Sequence, residues 1–335
     1  MTDWVQQAQH LTGEVLRPAV TEVDRSGKIP QSHFETLRNR GFYGVAFATK
    51  DPVNTLADVG EILVSGCLAT AFVWAQHHGT LLRLMMSRNE ALKAQFLADL
   101  RSGAITAGVS GSGYANPDNP LVVATETDDG YTITGLAPFV TGWGYVDVIG
   151  VTAYDTRADK TVTFLIDATD GPNIHSKRIP LSAADASNTV KLTFSEFEVP
   201  HTSVIRAGTP GRGGLSVADR AVLRINGSLA LGVARACLTE ADRIGHPSPQ
   251  LWDTHTMIRT ALNNAATGNG DIYDARAHAS QFAVTAAAYC ATAAGSRSVT
   301  RGEPAERLVR EAAFSMVCTT IPEIKSRILT ARTPM

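Results

Sequence analysis

The stretch TITGLAPFVTGWGYVDVIGVTA, residues 132–153, is rich in β-branched and aromatic residues and has the period of two that is typical of β-strands. Runs of the same kind, LVVATE, TVTFLID and VKLTFSEFEV, occupy residues 121–126, 161–167 and 190–199. A compact antiparallel β-domain is therefore predicted for residues 104–202. The Gly- and Pro-rich stretch that follows its last strand is predicted to be a loop that leaves this domain.

Helical patterns lie on both sides of this segment. Residues 3–24 place apolar side chains at steps of three and four, and helical stretches rich in Ala, Leu and Val continue to the start of the β-domain. Small residues dominate in LRINGSLALGVARACL and QFAVTAAAYCATAAGS, residues 223–238 and 281–296, which favours close helix packing. The sequence therefore predicts an N-terminal helical domain over residues 1–103 and a C-terminal helical bundle over residues 203–335.

Composition excludes several classes of function. Of the 335 residues, 44% are hydrophobic and 19% are charged, which is typical of a folded globular protein and not of a disordered chain. Lys and Arg number 30 against 32 Asp and Glu, without a basic stripe, so nucleic acid is not an expected partner. The start of the chain lacks the pattern of a secretory signal and no apolar run spans a bilayer, so we expect a cytoplasmic protein without a membrane partner.

Cysteine and histidine positions do not predict a metal site. Four cysteines lie far apart in apolar stretches, at Cys67, Cys237, Cys290 and Cys318. That spacing favours buried, reduced thiols over disulfides or zinc ligands. His77 and His78 are adjacent, and neighbouring side chains on a helix point about 100° apart. No His, Cys or acid at the next helical turn completes a site, so neither histidine is expected to bind metal.

The order of helices, sheet and helices at these lengths resembles the acyl-CoA dehydrogenase family over nearly the whole chain. Besides the opening stretch, similar segments are VDRSGKIPQSHFETLRNRGFYGV (23–45), NEALKAQFLADLRSG (89–103), LTFSEFEVP (192–200) and AAGSRSVTRGEPAERLVREAAFSMVCTTIPEIKSRIL (293–329). The resemblance implies a mainly α fold with an N-terminal helical bundle, an antiparallel β-barrel-like middle domain and a C-terminal four-helix bundle.

The same resemblance implies an oxidoreductase that binds FAD between the subunits of a tetramer, with acyl-CoA or another acyl thioester at the flavin face. In the family's reaction a carboxylate removes the α proton while a β hydride passes to flavin N5. Because a thioester α C–H is a poor acid, base and hydride acceptor must be aligned together. We therefore expect a homo-oligomer, a dimer or tetramer, and leave open a heteromer with a homologue.

Flavin contacts are carried over residue by residue. Thr141 occupies the position of the family's flavin-contacting Thr, and Phe139 occupies the aromatic position beside it. The alternative is that Thr141 is an ordinary β-domain residue and Phe139 a core residue. Trp143 is a second ring able to cover the flavin. Where the family has a Thr-Glu-Pro motif, this chain reads AGVSGSGYANP, so Ser110 or Ser112 offers the equivalent hydroxyl unless the run is only a turn.

The adenosine end of the cofactor site departs from the family pattern. Gly295 matches a glycine of the adenosine-binding turn, whereas Thr292 replaces the usual Gln. Between Cys237 and Gln250 the chain is shorter than its relatives, and Arg243 is the remaining candidate for a pyrophosphate contact. Arg310 matches the motif's arginine, but with Glu306 four residues earlier it is expected to form a helix-surface salt bridge.

The catalytic base is missing from its usual place. Thr319 stands at the family's usual glutamate position, and a hydroxyl cannot take a proton from carbon. A few members supply the glutamate from an earlier helix, but here that alignment gives Val222 or Leu223. Asp219 lies one turn earlier and is a weak candidate for the base. Its alternative role is structural, because the helix dipole favours a negative charge at a helix N-terminus. Glu323 on the last helix is a second weak candidate.

Arg224 lies among apolar residues in LRING, on a helix that in this family faces the active site. A buried arginine needs an anion, which would be a substrate carboxylate, a phosphate, a flavin carbonyl or a neighbouring acid. Three hypotheses follow: an acyl-CoA dehydrogenase-like oxidoreductase with an unusual base, a flavin-dependent monooxygenase that needs no carbon base, and a non-catalytic subunit that pairs with an active homologue.

Overall fold

The computed structural model describes residues 2–111, 119–208, 215 and 217–330. Ser112, one of the two proposed flavin-contacting serines, lies outside the described residues. The chain begins with helices, continues with a sheet and ends with helices, as the change of sequence period predicts.

The N-terminal part is helical to residue 102, with α1 and α2 joined into one rod by a π-helical turn at Thr12–Leu16. Asp3, Asp51 and Asn89 each cap a helix by accepting a hydrogen bond from a backbone N–H in its first turn. The helices are α1 (Trp4–Leu11), α2 (Arg17–Ser26), α3 (Gln31–Asn39), α4 (Pro52–Gly66), α5 (Leu68–Met85) and α6 (Glu90–Ser102).

Eight described strands form one sheet in the order β6-β7-β3-β2-β4-β5-β8, with β1 paired to β4. Most pairs are antiparallel, as predicted, but β1 and β2 each pair with β4 in parallel. The strands are β1 (Ala107–Ser110), β2 (Val122–Glu126), β3 (Gly130–Val140), β4 (Val148–Asp155), β5 (Lys160–Asp167), β6 (Ile174–Arg178), β7 (Val190–Pro200) and β8 (Val204–Gly208).

The prediction of a loop directly after the last predicted strand was wrong in part, because β8 at Val204–Gly208 pairs with β5. Its short VIRAG sequence carries little alternation, and the pairing partner lies about 40 residues earlier in the chain, so local periodicity does not reveal it. Strand β4 is buried along its whole length and forms the centre of the sheet.

The C-terminal helices pack around α7, which also packs on α4 of the N-terminal part. A Cβ on Gly232 of α7 would come within 2.4 Å of the Val64 side chain, so glycine permits this close approach. Although α7 is long and apolar enough to cross a bilayer, 83% of its most apolar window is buried, as in a core helix. These helices are α7 (Val217–Arg243), α8 (Pro249–Ala266), α9 (Ile272–Ala294), α10 (Pro304–Ser315) and α11 (Pro322–Thr330).

Candidate functional site

Ser110 ends β1, which lies between α5 and β4. The Thr80 hydroxyl on α5 donates to the carbonyl of Gly108 at 2.7 Å and so holds the strand against that helix. The Ser110 side chain is buried, and its Oγ has no hydrogen-bond partner among the described residues. A buried hydroxyl without a partner costs roughly 1–3 kcal/mol, so it is typical of a group whose partner is a ligand or an ordered water.

A turn after β3 carries the other proposed flavin contacts. Gly142 has φ 90°, and its N–H donates to the Ser187 carbonyl at 2.9 Å. Thr141 is buried, and its hydroxyl lies 3.1 Å from that of Thr189, which lies 3.1 Å from that of Ser187. We call Ser110, Thr141, Ser187 and Thr189 the hydroxyl cluster.

The β1 strand and this turn approach each other closely. A Cβ added to Gly108 would lie 3.3 Å from the Thr141 carbonyl oxygen, so glycine is needed for the contact. Gly108, two residues before Ser110 on β1, and Thr141 are therefore brought together in the β-domain, although they lie 33 residues apart in sequence. Trp143 in the same turn is nearly buried, and its carbonyl accepts from Asn188 at 2.6 Å.

Phe139 is not a core residue, which was the alternative to a role in flavin binding. Its side chain is 56% exposed, although it belongs to β3. An exposed phenylalanine beside a buried threonine is available to a ligand or to another subunit.

A second buried group lies between the C-terminal helices. Arg224 on α7 is fully buried; its Nε donates to Asn263 Oδ1 at 2.7 Å and its Nη2 lies 3.4 Å from Asp58 Oδ1. Arg276 on α9 is also buried, and its Nη1 donates to the Asn226 carbonyl at 2.7 Å.

Arg276 joins this group to the position of the missing base. Its Nη2 donates to Thr319 Oγ1 at 3.0 Å. Thr319 lies in the loop between α10 and α11 with φ 54°, a left-handed conformation that is costly for a β-branched residue. Among the described residues, no carboxylate contacts Arg276 or Thr319. We call Arg224, Arg276 and Thr319 the arginine cluster.

Sequence reasoning missed Arg276. It stands in the Ala-rich stretch DARAHASQFA, so the signal that singled out Arg224, a charge among apolar residues on a helix, was present for it too. Burial lowers the pKa of Arg224 and of Arg276 to about 10, and the positive charge of Arg224 adds to the effect on Arg276.

Both candidate bases lie in the first turn of a helix. Asp219 is the third residue of α7 and is partly exposed, and its Oδ1 lies 3.7 Å from Arg206 Nη1. Glu323 is the second residue of α11 and is exposed. These positions are consistent with favourable interactions between carboxylates and the N-terminal ends of helix dipoles.

Arg243, one of the residues proposed for the adenosine end, lines a cleft of about 190 Å³ at the ends of α7 and α9 and the start of α10. Arg243 and Arg297 line it, and each is bound to an acid, Glu240 at 2.6 Å and Glu303 at 2.6 Å. Gly295 lies between lining residues with φ 63°.

Thr292 is exposed near this cleft, but its hydroxyl donates to the Ala288 carbonyl of its own helix at 2.9 Å. Arg310 forms the predicted salt bridge with Glu306, with its Nε 2.7 Å from Oε1, and its Nη2 also lies 2.6 Å from Asp24 Oδ2 on α2. The helix-surface pair is confirmed, and it extends into a link between the two helical parts.

His77 and His78 are buried on α5, where the Ala107 N–H donates to His77 Nδ1 at 3.0 Å. Burial lowers the pKa of His77 to about 4. In the described part of the chain, no group of three His, Cys, Asp or Glu residues is arranged to hold a metal ion. All four cysteines are free thiols; three are buried and Cys318 is partly exposed.

No protein-family model matches the chain. It is 26% identical over 271 residues to benzylmalonyl-CoA dehydrogenase of Aromatoleum aromaticum, an alignment that covers 76% of this chain and 71% of that protein. It is 25% identical over 357 aligned positions to an acyl-CoA dehydrogenase of Bacillus subtilis, which covers 94% of this chain and 92% of that protein.

Solved structures share the whole fold. Butyryl-CoA dehydrogenase from Megasphaera elsdenii has a TM-score of 0.80 at 21% identity, covering 99% of this chain and 98% of that one. Dibenzothiophene monooxygenase from Paenibacillus sp. A11-2 has a TM-score of 0.75 at 18% identity, with 99% and 98% coverage. The predicted fold class is thereby confirmed, and the two curated relatives support the predicted resemblance to the acyl-CoA dehydrogenase family.

Proposed function

We propose that the chain is an FAD-dependent oxidoreductase that dehydrogenates the CH–CH group next to the carbonyl of an acyl thioester. The observation that carries this is the match over 94% of the chain to a relative named acyl-CoA dehydrogenase. The hydroxyl cluster supports it, because β1, which ends at Ser110, approaches the turn of Thr141 through Gly108, and the resemblance implies flavin contacts at Ser110 and Thr141.

The residues present fit a flavin. The unpartnered Ser110 hydroxyl and the Thr141 hydroxyl would hydrogen-bond the polar edge of the ring, and Phe139 or Trp143 would cover a face. All these groups are neutral, as suits a largely neutral ring system. Bound flavin supplies the hydride acceptor for the substrate's β carbon.

FAD in particular is proposed from the cleft beside Gly295. Arg243 and Arg297 would hold the diphosphate and adenosine half of a cofactor, and a diphosphate would compete with Glu240 and Glu303 for the two guanidinium groups. We further propose a cytoplasmic homo-oligomer, a dimer or tetramer, in which this cleft serves a neighbouring subunit.

Asp219 is the proposed, weak candidate for the base. It is a partly exposed carboxylate on the helix that carries Arg224, whereas Thr319 is fixed by Arg276 and has no group basic enough for a carbon acid. A general base must come within hydrogen-bond reach of its proton, which a partly exposed side chain can do by changing rotamer.

The test is the absorbance spectrum of the purified protein, followed by anaerobic addition of acyl-CoA thioesters. Flavin bands that bleach support dehydrogenation. Asp219→Asn should slow bleaching by about 100-fold or more if Asp219 is the base. Glu323→Gln is the matched control, and a loss confined to that variant would move the role to Glu323.

A monooxygenase is the second candidate, because the base position is held by Thr319 and Arg276 and dibenzothiophene monooxygenase shares the fold. Flavin bands that persist with every thioester, together with oxygen-dependent hydroxylation after chemical reduction of the flavin, would favour it. A protein that is colourless even after incubation with FAD would contradict both enzymes and favour the partner subunit.

A further inference from the structure

The arginine cluster carries more positive charge than its contacts offset. Arg224 and Arg276 are both fully buried, whereas Asp58 is the one carboxylate among the described residues that contacts either of them. That contact is long, 3.4 Å, and the Asp58 side chain is one third exposed. Two cations against one anion leave one uncompensated positive charge inside the protein.

Neighbouring acids do not remove this excess. Glu61, the next carboxylate on α4, lies 2.6 Å from Arg259 and 3.3 Å from Arg235, so two other arginines already offset its charge. Burying a guanidinium without a counter-ion costs several kcal/mol, on the order of the net stability of a domain. Such an arrangement is stable when an anion completes it.

The cluster also has hydrogen-bond donors to spare. Arg224 Nη1 and Arg276 Nε are both buried without a hydrogen-bond partner in the described structure. Buried polar groups in folded proteins nearly always have partners. Two unpartnered guanidinium nitrogens and one excess positive charge match the two oxygens and single negative charge of a carboxylate better than a doubly charged phosphate.

We propose that Arg224 and Arg276 form a carboxylate-binding subsite, and that the acyl thioester proposed above as the substrate carries a carboxylate on its acyl chain. Arg276 binds Thr319, so the subsite adjoins the place where the family has its catalytic carboxylate. Asp58, Asn263 and Thr319 are partly exposed and form the edge through which a substrate carboxylate enters.

The experiment measures the dissociation constants of thioester pairs with the flavin-loaded protein, by calorimetry and by the change in the flavin spectrum. Glutaryl-CoA is compared with pentanoyl-CoA, and ethylmalonyl-CoA with butyryl-CoA, so that each pair differs by one carboxylate at the chain end or at the α carbon. At least one carboxylated member is expected to bind about tenfold or more tightly than its partner.

Variants assign this preference to the arginines. Arg276→Met and Arg224→Met should each abolish the preference while leaving the uncharged thioesters within about twofold of the wild type. Arg276→Lys keeps a charge at the site if the Met variant does not fold, and it should retain part of the preference. Arg25→Met, which removes an exposed arginine paired with Glu22, should change nothing.

Each outcome has one meaning. Equal binding within both pairs overturns the carboxylate subsite and leaves the acyl-thioester function standing. Equal weakening of both members by Arg276→Met shows that the arginine meets a phosphate of the CoA or the flavin, which also overturns it. Failure of every thioester to bind contradicts the proposed function and the subsite together.

Discussion

The hydroxyl cluster and the arginine cluster are both buried, but they solve the problem of burying polar groups in different ways. In the hydroxyl cluster, neutral groups bond one another at 3.1 Å and one hydroxyl, Ser110, is left over. In the arginine cluster a full charge is left over. A missing neutral partner costs little, whereas a missing counter-ion costs much more, so the two sites are suited to ligands of different charge.

The largest expected effect comes from comparing Arg276 with an arginine that is paired with a buried carboxylate. Arg307 on α10 is paired with Glu311 at 2.7 Å, whereas Arg276 contacts no carboxylate among the described residues. Arg307→Met should lower the free energy of unfolding by about 3–5 kcal/mol, because it leaves Glu311 buried without a counter-ion. Arg276→Met should stay within about 1 kcal/mol of the wild type, because removing the uncompensated charge is offset by the loss of its hydrogen bonds to the Asn226 carbonyl and the Thr319 hydroxyl.

Urea unfolding of both variants, with the slope m compared, measures this difference. Equal losses would mean that Arg276 has a counter-ion in solution, and the contrast between the two clusters would fail.

Low pH should lower the free energy of unfolding through a buried histidine that contacts β1, the strand that ends at Ser110. The Ala107 N–H donates to buried His77, whose pKa burial lowers from 6.5 to about 4. Between pH 6.5 and pH 4, His77 is protonated in the unfolded chain but not in the folded chain. The contribution of His77 to the free energy of unfolding is therefore fully present above pH 6.5 and decreases towards pH 4. The loss from this group should reach about 3 kcal/mol.

Unfolding free energies across this pH range check the prediction. His77→Gln can still accept from Ala107 but does not titrate, so its stability should vary less with pH. A pH dependence as steep as that of the wild type would assign the effect to other groups.

Adding an acid to the arginine cluster should change the rate of flavin reduction. Thr319→Glu places a carboxylate next to Arg276, at the family's usual base position. If the protein is a dehydrogenase, anaerobic flavin reduction by a thioester should be about 100-fold faster in Thr319→Glu than in Thr319→Gln. Equal rates in these two variants of matched size would mean that proton removal does not limit the reaction.

The smallest effect is expected in the hydroxyl cluster. Ser110→Ala removes a buried hydroxyl without a partner and should raise the stability of the flavin-free protein by about 1 kcal/mol, while weakening flavin binding about tenfold. Ser187→Ala removes a hydroxyl that has a partner, and should destabilise by about 1 kcal/mol. Thermal unfolding and flavin titration measure both, and a loss of stability in Ser110→Ala would show that its hydroxyl is already bonded.

Sequence patterns predicted most of the fold but only part of the site. The helices and five of the strands follow from local period and from caps such as Asn89, because such signals lie within a few residues of one another. Strand β8 and the parallel pairing of β1 to β4 were missed because they depend on distant partners. Arg224 was recognised as a charge among apolar residues, and Arg276 carries the same signal but was overlooked. Its contact with Thr319 could not be predicted, because it joins residues 43 positions apart.

The sequence by itself determined the order of helical, β and helical segments, the absence of a carboxylate at position 319, and the neutral or charged character of each candidate site. Only the tertiary structure decided that Gly108, two residues before Ser110, meets Thr141, and that Arg276 meets Thr319. It also decided that, of the two buried arginines, Arg224 alone contacts a carboxylate among the described residues, the partly exposed Asp58. Periodicity and propensity are local properties of the chain, whereas hydrogen-bond satisfaction and charge balance depend on which distant residues are buried together.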